Sequence, residues 1–126
     1  MKNLEQEYNE QKCWGMVASV DVYDCDRSMI SSADPIRNFI VDLCKAIDMK
    51  RHGAPMIDRF AEGDLEGFSA IQFIETSSVT MHFDEGQNRA FVDIFSCKFF
   101  DPEKAEAFCR EYLKGSRSKM IHYFRN

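Results

Sequence analysis

Apolar and polar residues alternate with period two from Trp14 to Tyr23. Trp14, Met16, Ala18, Val20 and Val22 lie on one side, with Gly15, Val17, Ser19, Asp21 and Tyr23 on the other. This predicts a strand, and apolar residues on both sides predict an interior place in a sheet. The period changes after Asp34-Pro35, where an N-cap acceptor precedes a proline suited to the first helical position. Ile36, Phe39, Ile40, Leu43, Cys44 and Ile47 then form one helical stripe that ends near His52-Gly53. The same punctuation recurs at Asp101-Pro102. Ala105, Phe108, Cys109, Tyr112 and Leu113 share a face there, and Gly115 is the stop.

Between the two helices lie four strand-like runs, Pro55–Phe60, Phe68–Glu75, Ser77–Phe83 and Arg89–Cys97. Turn material stands at Glu62-Gly63-Asp64 and Asp84–Asn88, and Lys119–Arg125 reads as an edge strand. Short connections predict antiparallel neighbours. The order β-α-β-β-β-β-α-β predicts an α+β fold, a two-layer sandwich with two amphipathic helices on one face of an antiparallel sheet. Residues 1–12 are polar and aperiodic, and read as a frayed arm or subunit contact preceding a single domain over 13–126.

Composition narrows the function classes. The chain has 126 residues, 44% hydrophobic and 29% charged, the size and make-up of one globular domain. Sixteen Lys and Arg against twenty-one Asp and Glu leave a formal charge of −5, which argues against nucleic acid or an anionic membrane as the main partner. Met1–Lys12 lacks the apolar core of an export signal, so a soluble cytoplasmic protein is expected. Five cysteines, an odd number without a C-x-x-C pair or zinc-ligand spacing, predict neither a disulfide framework nor a metal site.

Candidate chemistry is concentrated in the middle strands. Ser69 lies in one strand, Glu75-Thr76-Ser77-Ser78 marks its junction with the next, His82 follows, and Cys97 closes the third. Adjacent antiparallel strands are expected to bring Ser69, Ser77, His82 and Cys97 together. A hydroxyl nucleophile, an imidazole and a thiol suit acyl chemistry at a backbone carbonyl or proton transfer. Each residue also has a plainer structural role available to it.

These residues carry a family resemblance. Ser77-Ser78-Val79-Thr80-Met81-His82 resembles an S-x-x-S-x-H segment with Thr80 as the second hydroxyl. Ser69 lies eight residues before Ser77, and Val92-Asp93-Ile94-Phe95-Ser96-Cys97 places Cys97 fifteen residues after His82. Together they resemble the small prokaryotic S-adenosylmethionine decarboxylases, pyruvoyl-dependent enzymes that process themselves. Asp101-Pro102-Glu103-Lys104-Ala105 and Val20-Asp21-Val22-Tyr23-Asp24-Cys25-Asp26 extend the likeness more loosely.

The resemblance implies that Ser77 attacks the carbonyl of Thr76, that Ser69 and His82 assist, and that chains 1–76 and 77–126 result, the second capped by a pyruvoyl group derived from Ser77. It further implies a Schiff base with the substrate amine, reprotonation by Cys97, a role in spermidine synthesis, and a homodimer with residues from both protomers at each site. A thiol suits the proton-donor role because its unperturbed pKa is about 8.5.

Two departures from the family pattern stand out. Thr76 replaces the usual glutamate before the processed serine, with Glu75 one place earlier. A register with Thr76 as nucleophile breaks the spacings to Ser69 and His82, so Ser77 is preferred. The family's ribose-binding glutamate, four residues after the histidine, is replaced by Gly86, with Glu85 as the neighbouring substitute. Phe60 is an aromatic platform for the substrate or a core residue. Two alternatives stay open: a pyruvoyl-dependent ornithine or arginine decarboxylase, and a non-processing regulatory homologue. Phe91, Phe95, Phe99, Phe100 and Tyr123 are available to an interface or to the core.

Overall fold

In the computed structural model, which describes residues 1–126, six strands form one sheet. They are β1 (Gly15–Tyr23), β2 (Met56–Phe60), β3 (Gly67–Ile74), β4 (Ser77–Asp84), β5 (Arg89–Ser96) and β6 (Arg117–Arg125). The order across the sheet is β2-β3-β4-β5-β1-β6, and every pairing is antiparallel. β1 is interior, between β5 and β6, and β6 is an edge, as the alternation predicts. The helices are α1 (Leu4–Glu10), α2 (Arg27–Ile30), α3 (Ala33–Ala46) and α4 (Pro102–Tyr112).

One sheet face carries the core. Met16, Ala18, Val20 and Val22 of β1, Val79 and Met81 of β4, and Ala90, Val92 and Ile94 of β5 are fully buried, as are Ile36, Phe39, Ile40 and Leu43 of α3 and Ala105 and Cys109 of α4. Burial of a leucine- or isoleucine-sized side chain contributes about 1.5–3 kcal/mol, so the matched stripes hold the two layers together. The opposite face has no helix. It presents Met56 and Phe60 of β2, Ile71 and Phe73 of β3, and Ile121 and Tyr123 of β6, all exposed. Phe100 is buried, while Phe91, Phe95 and Phe99 are half-buried.

The helix ends depart from expectation in identifiable ways. The polar segment 1–12 is not frayed. Asn3 accepts a hydrogen bond from Gln6 N–H and the Gln6 side chain accepts one from Asn3 N–H, a capping box that opens α1. Tyr8 then anchors the helix, with edge-on contacts to Phe99 and Phe124 at 5.6 Å. The extra turn α2 is capped by Asp26, which accepts from Ser28 N–H at 2.9 Å, and its Ile30 is buried. α3 starts at Ala33, with Ser32 rather than Asp34 at the N-cap. Asp34 sits in the first turn and binds Arg37 at 2.7 Å. α4 begins as predicted, Asp101 accepting from Glu103 N–H and Lys104 N–H.

α3 also stops at Ala46, short of His52-Gly53. The chain after it bonds to the end of β3 instead: His52 N–H donates to Phe73 O at 2.8 Å and Glu75 N–H to Lys50 O at 2.9 Å. This backbone pairing wins over further helical turns and lays residues 48–52 beside the β3–β4 junction.

Candidate active site

The β3–β4 register places Ser69 directly opposite His82, and the Ser69 hydroxyl lies 2.7 Å from His82 Nδ1. His82 is exposed and Ser69 half-buried on the helix-free face. A hydroxyl paired with an accessible imidazole can pass a proton in either direction, depending on which ring nitrogen carries it.

Thr76 and Ser77 stand at the other end of β4. Thr76 O accepts a hydrogen bond from Cys97 N–H at 2.8 Å, the geometry that steadies a developing oxyanion. Ser77 has φ 152°, a backbone region that non-glycine residues rarely occupy and that costs on the order of 1–3 kcal/mol. The Thr76 hydroxyl accepts from Ser96 Oγ at 2.9 Å, and Ser96, wholly buried, also accepts from Lys98 N–H at 3.0 Å. A Cβ added to Gly15 would lie 2.7 Å from Ser96 O and 3.2 Å from Cys97 Cα, so glycine lets β1 press against this end of β5. The Cys97 thiol belongs to an exposed residue, and Cys97 O accepts from the Tyr8 hydroxyl at 3.3 Å. Burial above all pushes the three buried thiols up, Cys25 and Cys44 to about 11 and Cys109 to about 12, which leaves these three poor proton donors or nucleophiles near neutrality.

The four expected residues therefore form two groups within one protomer. Ser69 and His82 lie five residues along β4 from Ser77, about 17 Å at the strand repeat. An antiparallel register aligns residues across strands but does not shorten the distance along one. Ser96, the Cys97 main-chain donor and Tyr8 join the Ser77 end. Ser96 lies inside the sequence motif that ends at Cys97, whereas Tyr8 gave no periodic signal.

The residues considered for substrate contact differ in accessibility. Phe60 is 55% exposed at the end of β2, so it is not core and its ring face is open. Glu85 is only 8% exposed and is held by Arg59, with Arg27 Nη2 at 3.9 Å and Arg27 Nη1 donating to Glu85 O at 2.8 Å. Hydrogen bonds that Arg59 donates to Glu85 first and Glu66 second raise the pKa of its guanidinium. Asp84 is paired with Arg89 at 2.6 Å. Both carboxylates that follow His82 are thus engaged within the protomer.

An antiparallel sheet backed by helices on one face, with a strained serine at a strand junction, defines a small α+β domain whose serine is suited to acyl chemistry at the preceding carbonyl. The family model described as S-adenosylmethionine decarboxylase matches residues 17–126, and the chain belongs to that family. An S-adenosylmethionine decarboxylase proenzyme of Clostridium botulinum is 28% identical over 95 residues, which span 75% of this chain and 78% of that protein. One of Fervidobacterium nodosum is 26% identical over 116 residues, 90% of this chain and 81% of that protein. The crystal structure of the adenosylmethionine decarboxylase from Aquifex aeolicus superposes with a TM-score of 0.75 at 19% identity, covering 90% of this chain and 92% of that one, which shows a common fold. The chain is accordingly a decarboxylase of α+β architecture.

Proposed function

We propose that the chain cleaves itself between Thr76 and Ser77 and that the processed protein decarboxylates S-adenosylmethionine, the step that readies it for aminopropyl transfer in polyamine synthesis in the cytoplasm. The observation that carries this reading is the Thr76 carbonyl held on Cys97 N–H at 2.8 Å next to a strained Ser77. Attack by Ser77 Oγ on the Thr76 carbonyl carbon places negative charge on the oxygen that Cys97 N–H already faces. Breaking the Thr76–Ser77 amide also releases the strain at Ser77. The Thr76–Ser96 hydrogen bond ties the Thr76 side chain to buried Ser96 and steadies the residue that bears the scissile carbonyl. Because the reaction uses the main-chain carbonyl, threonine can stand in place of glutamate.

The residues fit a pyruvoyl group derived from Ser77, which supplies a carbonyl as electron sink for the electrons released with CO₂. The exposed Cys97 thiol next to that position returns a proton to the substrate α-carbon. Ser69 and His82 transfer protons during cleavage. Phe60 offers an aromatic face to the cationic nucleoside. Glu85 borders the same region and, through Arg59 and Arg27, fixes the loop after His82.

The 17 Å between the two groups is bridged in a homodimer in which each Ser77 and Cys97 meets the partner's Ser69 and His82. Two features support this arrangement: the helix-free face, with Met56 67%, Phe73 57% and Ile121 63% exposed, and the placement of the two groups at opposite ends of β4. A two-fold axis across that face would bring opposite ends together and cover the apolar side chains. CO₂ release measured side by side from S-adenosylmethionine, ornithine, arginine and lysine tests the substrate. Release from S-adenosylmethionine alone is expected, lost in Ser77→Ala. Release from ornithine or arginine with none from S-adenosylmethionine would overturn the assignment and leave the processing chemistry standing.

A further inference from the structure

A cleft of about 470 Å³ opens beside the scissile peptide, lined by Lys45, Asp48, Met49, Lys50, Glu75, Thr76 and Lys98. Three lysines here face two carboxylates. Lys98 Nζ donates to Asp48 O at 2.9 Å and lies 3.3 Å from Asp48 Oδ2, and Lys50 Nζ lies 3.4 Å from Glu75. Lys45, exposed in the last turn of α3, brings the third positive charge. The uncleaved chain therefore carries one positive charge in excess around Thr76.

We infer that this cleft receives the carboxylate that Thr76 acquires on cleavage, and that its lysines speed the departure of residues 1–76 as the leaving group. The inference rests on cleavage at Thr76–Ser77. In the first stage Ser77 Oγ bonds to the Thr76 carbonyl carbon, the C–N bond breaks and the Ser77 nitrogen takes the hydroxyl proton, which gives an ester. In the second stage a base removes the Ser77 α-proton and the Cβ–Oγ bond breaks. The electron pair of that bond leaves with the Thr76 carboxylate, and dehydroalanine remains. Water then converts the dehydroalanine to the pyruvoyl group and ammonia, with no oxidant or reductant. Negative charge thus appears on Thr76 in the second stage and stays there. One of the two carboxylate oxygens is the atom that Cys97 N–H already binds, and the positive excess of the cleft neutralises the new charge as it forms.

The two stages are separable because hydroxylamine cleaves the ester but not the amide. Full-length chain made by cell-free translation and followed by intact mass, with and without hydroxylamine, reports both. Lys45→Gln, Lys50→Gln and Lys98→Gln should each slow release of residues 1–76 about fivefold, the size of one solvent-exposed charge contact, and should accumulate hydroxylamine-sensitive ester. The corresponding Lys→Arg variants should restore the rate, and about 1 M salt, where charges are screened beyond roughly 3 Å, should slow the wild type towards the variants. Melting of each Lys→Gln variant in a Ser77→Ala background checks the fold. Should Lys98→Gln unfold by loss of its bond to Asp48 O, Lys45→Gln decides the matter. Wild-type release rates in the lysine variants with no ester, or slowing confined to ester formation, would overturn the inference. Absence of cleavage in the wild type would remove the processing reading itself and this inference with it, and the wild type alone reports that.

Discussion

Cys97 serves the two halves of the proposed chemistry through different atoms. Its main-chain N–H holds the Thr76 carbonyl, and its thiol is exposed for proton transfer to substrate. Cys97→Ala keeps the first and removes the second. The variant should therefore cleave at a near-normal rate and lose about 10²- to 10⁴-fold in turnover, the span of a positioned acid–base group. Intact mass and CO₂ release read the two effects separately. Normal turnover in the variant would take the thiol out of the mechanism. Ser69→Ala and His82→Ala act on the other pair and should slow cleavage itself, by tenfold or more, as followed by fragment appearance on denaturing mass spectrometry.

At the scale of elements, β4 sets the distances and the helices supply the stability. Alternation and helical stripes made β1, β4, β5, α3 and α4 legible in the sequence, because one face of each is apolar and the period follows the backbone. The short capped turns α1 and α2 were not, since each depends on a cap and one buried residue, Tyr8 or Ile30, too few for any period to show. The family resemblance marked Ser69, Ser77, His82 and Cys97 as candidates, but their division between the ends of β4 was not legible, because spacing gives register across strands and not the span along one. Asp101→Ala should lower unfolding stability by about 1 kcal/mol through loss of the α4 cap, measured by denaturant titration, with cleavage unaffected. Cys44→Ala and Cys109→Ala, both at buried positions on the helical stripes, should likewise alter stability and not chemistry.

For the whole molecule, the helix-free sheet face and the divided site make one prediction about assembly. Ser77→Ala cannot be cleaved, and His82→Ala alone should be cleaved slowly or not at all. Co-expressed, they form mixed dimers in which one site combines Ser77 of the His82→Ala chain with His82 of the Ser77→Ala chain. Rapid cleavage of the His82→Ala chain should return in the mixture and in neither homodimer. Failure of that rescue, with mixed dimers demonstrated, would place both groups on one chain. Phe73→Glu or Ile121→Glu puts a charge on the same face and should shift the protein to a 14.6 kDa monomer in sedimentation.

The central claim is cleavage at Thr76–Ser77, and denaturing mass spectrometry of freshly purified protein tests it most directly. The account predicts two fragments, residues 1–76 ending in a free carboxylate and residues 77–126 lacking an amino terminus and reactive with carbonyl reagents, with a single intact chain in Ser77→Ala. A single uncleaved mass from the wild type after prolonged incubation, or a break at any other bond, would contradict it.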